Sequence, residues 1–436
     1  MKTKIKPHRI GFVSLGCAKN LVDSETLISQ LEANQIEIVL NPSLEQEIQT
    51  VIINTCGFIN DAKKESINTI LHFINAKKNG DLSRIFVMGC LSQRYKAQLA
   101  KELPEVDAFF GVNELKEIIH ELGGRYKQEL HGERRTTTPS HYTYLKIAEG
   151  CDRKCSFCAI PLIRGKHVSR SMEDIIQETE FLVGSGVREI NLISQDTTYY
   201  GIDLYNKRRL PELMNKLAMI PGLDWLRLHY TYPDGFPLKL LGIIKENPNI
   251  CKYIDIPLQH ISDRILRSMH RNITSLKTRN LIDTIRSAIP GITLRTTMIV
   301  GYPGETEQEF NELKRFVGEA KFERMGVFTY SHEEDTQAYS LRDDVPGKLK
   351  QGRANELMAI QEEISLEINT RRIGETMKVI IDEDWNGYYI ARSEMDSPEV
   401  DNEILIKKTG TPLTIGTFCQ VKITAAESFD LYAELT

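Results

Sequence analysis

The amino-acid sequence predicts an α/β protein with three parts: a doubly wound parallel sheet, a partial (β/α)6 barrel and a small all-β barrel. Three patterns indicate this fold class. In the first third of the chain, short apolar segments alternate with amphipathic helical segments. The alternation then repeats six times, which is too few for a closed eight-stranded barrel. The pattern of roughly the last 65 residues predicts five short strands. We therefore place domains at residues 6–124, 137–368 and 369–436.

The first domain contains three predicted strands, each followed by a turn and a helix. The strands are Arg9–Leu15, Thr50–Asn54 and Arg84–Met88, and the helices are Leu21–Leu31, Ala62–Phe73 and Gln93–Leu103. Apolar runs predict the strands, and apolar residues that recur every three or four positions predict the helices. The polar segment His131–Ser140 has no such periodicity, so we interpret it as a linker.

Six predicted strands alternate with helices in the second domain, which favours a partial barrel open on one side. They are Tyr142–Ala148, Glu189–Ser194, Trp225–Tyr230, Tyr253–Leu258, Thr293–Val300 and Met325–Tyr330. A helix then runs to about Arg372, after which the pattern changes to short alternating strands. Examples are Met377–Ile381, Tyr388–Ala391, Ile404–Ile406 and Phe418–Ile423. They predict a small barrel of the OB-like kind.

The composition is that of a soluble globular protein. Of the 436 residues, 41% are hydrophobic and 26% are charged, and the net charge is −5. This balance argues against a dedicated nucleic-acid-binding protein, which usually has a basic excess. The longest stretches without Asp, Glu, Lys or Arg, Ile48–Asn60 and Thr409–Val421, are shorter than the roughly 18 residues of a membrane span. Because residues 1–10 also lack the apolar segment of a secretory signal, we expect a cytoplasmic protein.

The eight cysteines are the feature that requires an explanation. A chain of this size in a reducing compartment does not need disulfides. Cys151, Cys155 and Cys158 form a C-x3-C-x2-C motif after the first strand of the partial barrel. A four-iron cluster normally has four thiolate ligands, so three thiolates leave one iron open to a small molecule. Two alternatives are a zinc site with His167 as the fourth ligand and chance clustering.

Three further cysteines, Cys17, Cys56 and Cys90, each follow an apolar strand. Residues just past the carboxyl ends of neighbouring parallel strands converge on one crevice, so these thiols can meet although they are distant in sequence. Again there are three, which predicts a second cluster with an open iron. The alternative is three buried structural thiols. We interpret Cys251 and Cys419, which share no such context, as structural.

The segment Gly150–Cys158, with an aromatic residue before its last cysteine, resembles the signature of the radical S-adenosylmethionine superfamily. The resemblance implies that Cys151, Cys155 and Cys158 hold a [4Fe-4S] cluster whose open iron binds S-adenosylmethionine. Reductive cleavage in that superfamily yields a 5′-deoxyadenosyl radical, which abstracts hydrogen from an unactivated carbon. Chemistry of this kind requires a cofactor, because no side chain can perform it unaided.

Four residues of the second domain are candidate contacts of S-adenosylmethionine. The segment Thr297–Glu305 resembles the adenine-contacting segment of the superfamily, which makes Gly301 and Glu305 candidates. An ordinary βα turn is the alternative. Gln195 and Asp196 end the second strand, where polar side chains could reach the ribose or the methionine moiety, although polar residues often end strands without a function.

Three other polar residues have ordinary structural interpretations. Gln259-His260 follows the fourth strand, where a hydrogen-bonded histidine at the barrel rim is the expected role of His260. Arg164 and Arg170 lie just past the cysteine loop and could pair with a carboxylate of cofactor or substrate. The default expectation for these two arginines is a solvated position.

Two such clusters followed by a small β-barrel resemble the methylthiotransferases over essentially the whole chain. The family has an N-terminal methylthiotransferase domain, a radical S-adenosylmethionine core and a barrel called TRAM. The resemblance implies an auxiliary [4Fe-4S] cluster on Cys17, Cys56 and Cys90, besides the radical cluster, and transfer of a CH3S group to a substrate carbon. It also implies an electron-donor protein of the flavodoxin or ferredoxin type, and we expect a monomer.

Two branches of the family differ in substrate. One modifies an isopentenyl adenosine next to the tRNA anticodon, and the RimO group modifies the β-carbon of an aspartate in protein twelve of the small ribosomal subunit. The strings Ser14–Glu25, Gln195–Gly201 and Tyr232–Phe236 resemble the second branch. Residues 371–436 also contain 12 acidic but only 7 basic residues, which suits a basic protein partner better than RNA phosphates. We therefore expect a ribosomal protein substrate, with tRNA as the alternative.

Overall fold

The structure is a computed structural model that describes residues 9–43, 46–130, 132–408, 410 and 412–436. Residues 1–8, which include the start of the predicted first domain, lie outside the described residues, as do His131 of the predicted linker and Thr409. The chain forms two compact units. The first contains the described residues up to Thr137, Glu149–Asp152 and Ala159–His167, and the second contains the rest. No helix of the described residues is long and apolar enough to cross a membrane.

The first unit is built on a five-stranded parallel sheet with the strand order β2-β1-β3-β4-β5. Its elements are β1 (Arg9–Ser14), α1 (Ala18–Ala33), β2 (Glu37–Leu40), β3 (Thr50–Thr55), α2 (Asn60–Asn79), β4 (Arg84–Gly89), α3 (Cys90–Glu102), β5 (Ala108–Phe109) and α4 (Leu115–Glu121). Helices α1 and α4 pack on one face, and α2 and α3 pack on the other. Two separate apolar cores result, which confirms the predicted doubly wound sheet.

Two edge strands and the environment of the linker differ from the sequence prediction. Strands β2 and β5 have four and two residues, too short for a distinct apolar pattern. The described residues of the polar linker form no regular secondary structure, but an ion pair and hydrogen bonds connect the linker to α1. Arg134 forms a buried ion pair with Glu25. The Thr137 backbone N–H donates to Glu25 Oε1 at 2.6 Å.

The second unit contains a sheet of six parallel strands in the order β13-β12-β11-β10-β9-β6. From residue 142 the elements are β6 (Tyr142–Lys146), β7 (Ala148–Glu149), α5 (Ile160–Arg164, in the first unit), β8 (Val168–Ser169), α6 (Met172–Gly184), β9 (Glu189–Ile193), α7 (Ile202–Tyr205), α8 (Leu210–Ala218), β10 (Trp225–Leu228), α9 (Lys239–Glu246), β11 (Ile250–Asp255), α10 (Asp263–Ser268), α11 (Ser275–Ala288), β12 (Thr293–Val300), α12 (Glu307–Ala320), β13 (Arg324–Thr329) and α13 (Gly347–Thr370). The sheet is open between β6 and β13, which confirms the partial (β/α)6 barrel.

The fourth strand of this sheet is displaced from its predicted position. β11 begins at Ile250 and ends at Asp255, whereas the sequence pattern predicts Tyr253–Leu258. Pro257 lies within the predicted range and has no backbone N–H, so it cannot continue a strand ladder. The apolar residues on both sides of Pro257 are buried without being in the strand.

The C-terminal residues form the predicted small barrel, which closes through five strands in the order β14-β15-β16-β18-β17. These are β14 (Thr376–Trp385), β15 (Tyr388–Ser393), β16 (Glu403–Lys407), β17 (Phe418–Ala426) and β18 (Asp430–Leu435). The pairing of β16 with β18 is parallel, and the other pairings are antiparallel. Closure removes the open edges of the sheet.

The small barrel supplies charged partners to residues of the core sheet. Arg227 on β10 is fully buried and donates to Glu189 Oε1 at 2.9 Å and to the Glu394 carbonyl at 2.6 Å. The second oxygen of Glu189 pairs with Arg392 of β15 at 2.8 Å. This chain of charges joins the core to the barrel without leaving the Glu189 carboxylate uncompensated.

A second set of ion pairs also joins the core sheet to the small barrel. Arg324 Nε on β13 donates to Asp396 Oδ1 at 2.9 Å, and both side chains are buried. Arg295 on β12 pairs with Asp401 at 3.2 Å, and the Tyr253 hydroxyl donates to Asp401 at 2.7 Å. The core and the barrel are therefore held together by buried charge pairs, each of which depends on its partner.

Replacing Asp396 with Asn is expected to lower the free energy of unfolding by about 3–5 kcal/mol, because the buried Arg324 loses the carboxylate that it contacts directly. Urea unfolding followed by circular dichroism measures the loss. The matched control is Glu356→Gln in the more exposed Lys314–Glu356 pair (2.9 Å), which should change stability by less than about 1 kcal/mol. Equal, small losses in the two variants would contradict the importance of the buried pair.

Candidate functional site

Cys17, Cys56 and Cys90 lie just past the carboxyl ends of β1, β3 and β4, and the structure brings their loops together. A side chain at Gly16 would place its Cβ 2.7 Å from the Cys56 Cβ. One at Gly57 would lie 2.6 Å from the Leu91 backbone, next to Cys90. Only glycine permits such close approach of neighbouring loops. The three loops therefore lie in contact, and a shared cluster on their thiols stays a prediction.

Asn20, in the first turn of α1, connects the three loops. Its side-chain amide donates to the Leu15 carbonyl at 3.1 Å and to the Thr55 carbonyl at 3.0 Å. Its oxygen accepts from the Cys90 thiol, whose sulfur is 3.4 Å away. Asn20 is fully buried, so these bonds replace the water that it would otherwise bind.

Arg164 lies beside the same three loops and is buried, in contrast to the solvated position expected from the sequence. It pairs with Asp23 on α1 at 2.6 Å and with Glu149 at 3.1 Å. Its second terminal nitrogen donates to Asn20 and lies 3.3 Å from the Cys90 sulfur. The buried Arg164 guanidinium therefore contacts Cys90, one of the predicted cluster ligands.

The electrostatic environment differs among the three thiols. Desolvation acts to raise the pKa of Cys17, but Lys19, the Asn20 backbone N–H and Arg164 outweigh it and lower the pKa. Burial raises the pKa of Cys56, and it raises that of Cys90 to about 12, although Arg164 opposes both shifts. Metal binding requires the thiolate form. The positive charge of Arg164 favours that form at all three positions.

The loop that carries Cys155 is fixed to the carboxyl end of the core sheet. The Ser156 backbone N–H donates to the Met269 carbonyl at 3.0 Å, and the Ser156 and Tyr302 hydroxyls are 2.8 Å apart. The Cys158 backbone N–H donates to the Cys155 carbonyl at 3.1 Å, so these two cysteines share one tight turn. This turn lies at the end of a parallel sheet where ligands bind in such folds.

Tyr232 lies between two guanidinium groups next to Cys155. Arg153 is 3.9 Å and Arg271 is 4.1 Å from the centre of its ring. The Tyr232 hydroxyl and an Arg271 terminal nitrogen are each 3.6 Å from the Cys155 sulfur. Arg153 Nε also donates to Asp196 at 2.7 Å. Two hydrogen-bond donors thus face one predicted cluster ligand, an arrangement that stabilises a thiolate.

Three family profiles match the chain. The profile of the Radical SAM superfamily covers residues 145–317, that of uncharacterized protein family UPF0004 covers residues 9–111, and that of the TRAM domain covers residues 373–436. These ranges fall within the three parts predicted from the sequence.

Curated relatives match over the full length. A protein of Christiangramia forsetii named ribosomal protein uS12 methylthiotransferase RimO is 54% identical over 435 residues, covering 100% of this chain and 96% of that protein. Proteins with the same name from Flavobacterium johnsoniae and Bacteroides thetaiotaomicron are each 52% identical, and the matches cover 99% or more of every chain. The chain belongs to the RimO family of methylthiotransferases. Family membership favours the protein-modifying branch over the tRNA branch.

Solved structures show the same fold at low sequence identity. The radical S-adenosylmethionine methyltransferase TsrM from Kitasatospora setae has a TM-score of 0.56 and 13% identity, and the match covers 81% of this chain and 91% of that one. The radical enzyme OxsB has a TM-score of 0.53 and 14% identity, with 82% and 56% coverage. These likenesses support the fold of this RimO-family chain.

The four predicted contacts of S-adenosylmethionine lie at the carboxyl end of the core sheet, and the two carboxylates among them form ion pairs with arginines. The carboxylate of Glu305 accepts from the Gly301 backbone N–H at 2.8 Å and pairs with Arg353 at 2.8 Å. Asp196 accepts from Arg153, and Gln195 immediately precedes it after β9. The role of these four residues in cofactor binding stays a prediction.

Unpaired polar atoms mark the same end of the sheet. Ser194 Oγ, Gln259 Oε1 and Arg271 Nε are buried without a hydrogen-bond partner among the described residues. Gln259 also has a φ of +76°, a backbone conformation that is unusual for a residue other than glycine. A polar ligand such as S-adenosylmethionine would satisfy such atoms, and so would water.

The remaining cysteines and histidines agree with several sequence interpretations. None of the eight cysteines forms a disulfide, and Cys251 is buried with its pKa raised by burial to about 12. His260 is buried, and its Nδ1 accepts from the Ser262 backbone N–H at 3.0 Å. Among the described residues, no three Cys, His, Asp or Glu side chains converge closely enough to bind a single metal ion. Thiolates of a four-iron cluster bind different irons, and the assignment of six ligands stays a prediction.

The sequence analysis missed Arg271 at this site, and it misjudged Arg170 as well as Arg164. Arg271 belongs to no sequence motif, and only the tertiary structure shows that its side chain reaches Cys155. Arg170 pairs with Glu178 at 2.6 Å, so it is not simply solvated. The strings Ser14–Glu25 and Tyr232–Phe236, quoted above for their resemblance, supply Asn20, Asp23 and Tyr232.

Replacing Glu305 with Gln distinguishes its structural role from a cofactor contact. The variant should lose about 3–5 kcal/mol of stability, because the buried Arg353 loses its closer, buried carboxylate and keeps only the exposed Glu307 at 3.4 Å. Well below the unfolding temperature, its Kd for S-adenosylmethionine, measured by equilibrium dialysis on the cluster-loaded protein, should change less than about threefold. A tenfold weaker Kd with unchanged stability would instead identify Glu305 as a cofactor contact.

Proposed function

We propose that this protein replaces one hydrogen on the β-carbon of an aspartate of ribosomal protein uS12 by a CH3S group. The observation that carries the proposal is the presence of two separate cysteine triplets in a RimO-family chain. Cys17, Cys56 and Cys90 follow neighbouring parallel strands, and the C-x3-C-x2-C motif comes after β6 and β7 in the sequence. Each triplet fits a [4Fe-4S] cluster with one open iron.

The residues of the chain hold and orient the groups that perform the chemistry. The two clusters and S-adenosylmethionine, when bound, supply the radical and the sulfur-bearing group. Cys17, Cys56 and Cys90 would hold the auxiliary cluster, and Cys151, Cys155 and Cys158 the radical cluster. Gln195, Asp196, Gly301 and Glu305 remain our candidates for contacts with S-adenosylmethionine, and Gly301 and Glu305 would act through the backbone turn that they form together.

The surface of the small barrel supports a protein substrate. Of the 12 acidic residues in residues 371–436, Asp396 and Asp401 pair with core arginines and do not contribute to a docking surface. Seven others are exposed, against four exposed basic residues. The accessible excess is therefore still acidic. Such a surface attracts a basic protein and repels RNA phosphates.

Several further features complete the proposal. We place the reaction in the cytoplasm, where ribosomal proteins occur, and we expect a monomer that receives electrons from a protein of the flavodoxin or ferredoxin type. We also retain the domain boundaries 6–124, 137–368 and 369–436. The second compact unit contains both the core and the barrel, so the last boundary separates two closely packed parts.

Anaerobically purified protein should contain about eight irons per chain. Replacing Cys17, Cys56 and Cys90 with Ala should remove about four of them, and replacing the other triplet should remove the other four. Iron analysis and Mössbauer spectroscopy measure the content. Cys419→Ser is the matched control and should keep all the iron. Stoichiometric zinc in place of iron would contradict the proposal.

Incubation of uS12 with the reduced enzyme and S-adenosylmethionine should add about 46 Da to one aspartate, the difference between H and SCH3. Tandem mass spectrometry locates the modified residue. Either cysteine-triplet variant should abolish the product, and Cys419→Ser should not. An unchanged uS12 together with modified isopentenyl-adenosine tRNA would overturn the substrate assignment.

A further inference from the structure

Arg164 makes more polar contacts than a surface ion pair requires. Its side chain is 2% exposed and contacts two carboxylates, those of Asp23 and Glu149. It also contacts the Asn20 amide oxygen and the Cys90 sulfur. A guanidinium offers five N–H donors in a fixed fork, so a single arginine can serve all these acceptors.

The charge balance around Arg164 has a consequence for Cys90. A buried arginine needs one carboxylate for neutrality, and Asp23 alone provides it at 2.6 Å. The approach to the Cys90 sulfur at 3.3 Å is therefore an additional interaction, with the N–H as donor. Cys90 lies at the start of α3, where the backbone dipole also favours a thiolate.

The same short helix is connected to the loop that carries Cys151. The Cys151 backbone N–H donates to the Gly165 carbonyl at 3.1 Å, directly after Arg164. A side chain at Gly150 would place its Cβ 2.0 Å from the Lys166 carbonyl oxygen, so the two segments are in close contact. Ile163 of the same helix packs with Cys90 and Val112. The position of Arg164 is thus fixed from both directions within the first unit.

We propose that Arg164 is a positioning residue that sets the reduction potential of the auxiliary cluster through its charge and its hydrogen bond to Cys90. This inference rests on the proposed function only in assuming a cluster at Cys17, Cys56 and Cys90. Nothing in the sequence pattern assigns this role, because an arginine after a cysteine loop is ordinarily solvated.

The sign of the effect follows from electrostatics. One-electron reduction adds a negative charge to the cluster, and a nearby positive charge stabilises the reduced form. Arg164 therefore raises the potential, whereas the carboxylates of Asp23 and Glu149 beside it lower the potential. Removing the Arg164 charge and removing the Asp23 charge must shift the potential in opposite directions. A role confined to folding predicts no such pair of shifts.

The experiment measures the auxiliary cluster alone, in the full-length chain with Cys151, Cys155 and Cys158 replaced by Ala. Redox titration followed by electron paramagnetic resonance gives the potential. Arg164→Gln should lower the equilibrium constant for one-electron reduction at least tenfold, which corresponds to about 59 mV. Arg164→Lys should recover part of the loss, and Asp23→Asn should raise the potential. Arg135→Gln, in an exposed pair with Glu32, is the matched control and should cause no shift.

The outcomes separate the inference from the proposed function. If the parent chain of this experiment binds no cluster, the auxiliary site itself is wrong. If it binds one, and Arg164→Gln leaves the potential unchanged or Arg164→Lys recovers none of the loss, Arg164 has only a structural role. If Arg164→Gln does not fold or load iron, Asp23→Asn decides: a potential that does not rise in this variant overturns the inference.

Discussion

Parallel strands end at one edge of a sheet, and both parts of the candidate site depend on this constraint. In the first unit, it gathers three loops that start 39 and 34 residues apart in the chain, at Cys17, Cys56 and Cys90. Glycines at positions 16 and 57 then let the loops touch. In the core, the same constraint places Ser194, Gln259 and Tyr232 at one end of six strands. Sites of this kind need no long-range sequence motif, because the parallel topology brings the ends of distant strands close together.

Buried charges are the second recurring feature, and each is neutralised by a partner from another element. Arg164 joins α5 to α1, and Arg227 and Arg324 join the core sheet to the small barrel. Such pairs add little net stability over apolar packing, but they are costly to break. They therefore specify how two elements fit together. In the first unit, the ion pairs of Arg164 also hold its positive charge close to the Cys90 sulfur.

The sequence was sufficient to predict the fold class and the convergence of the cysteine loops, because strand periodicity and a cysteine after each strand are local signals. It was insufficient for β2 and β5, which are too short to carry a period. It also misplaced β11, because an apolar run interrupted by Pro257 looks like a strand. The roles of Arg164 and Arg271 had no local signal at all. Both depend on which distant residues the fold brings within a few ångströms.

The pairing of Asp396 and Asp401 with core arginines changes how the acidity of the small barrel should be interpreted. A net charge counted from sequence includes carboxylates that are neutralised inside the protein, and these cannot steer a partner. The exposed set, seven acidic against four basic residues, is the quantity that acts on an approaching substrate. Its sign is the same as that of the sequence count, so the preference for a basic protein survives the correction. An RNA-binding barrel would require an excess of exposed basic residues, because contacts with the phosphate backbone supply much of the binding free energy.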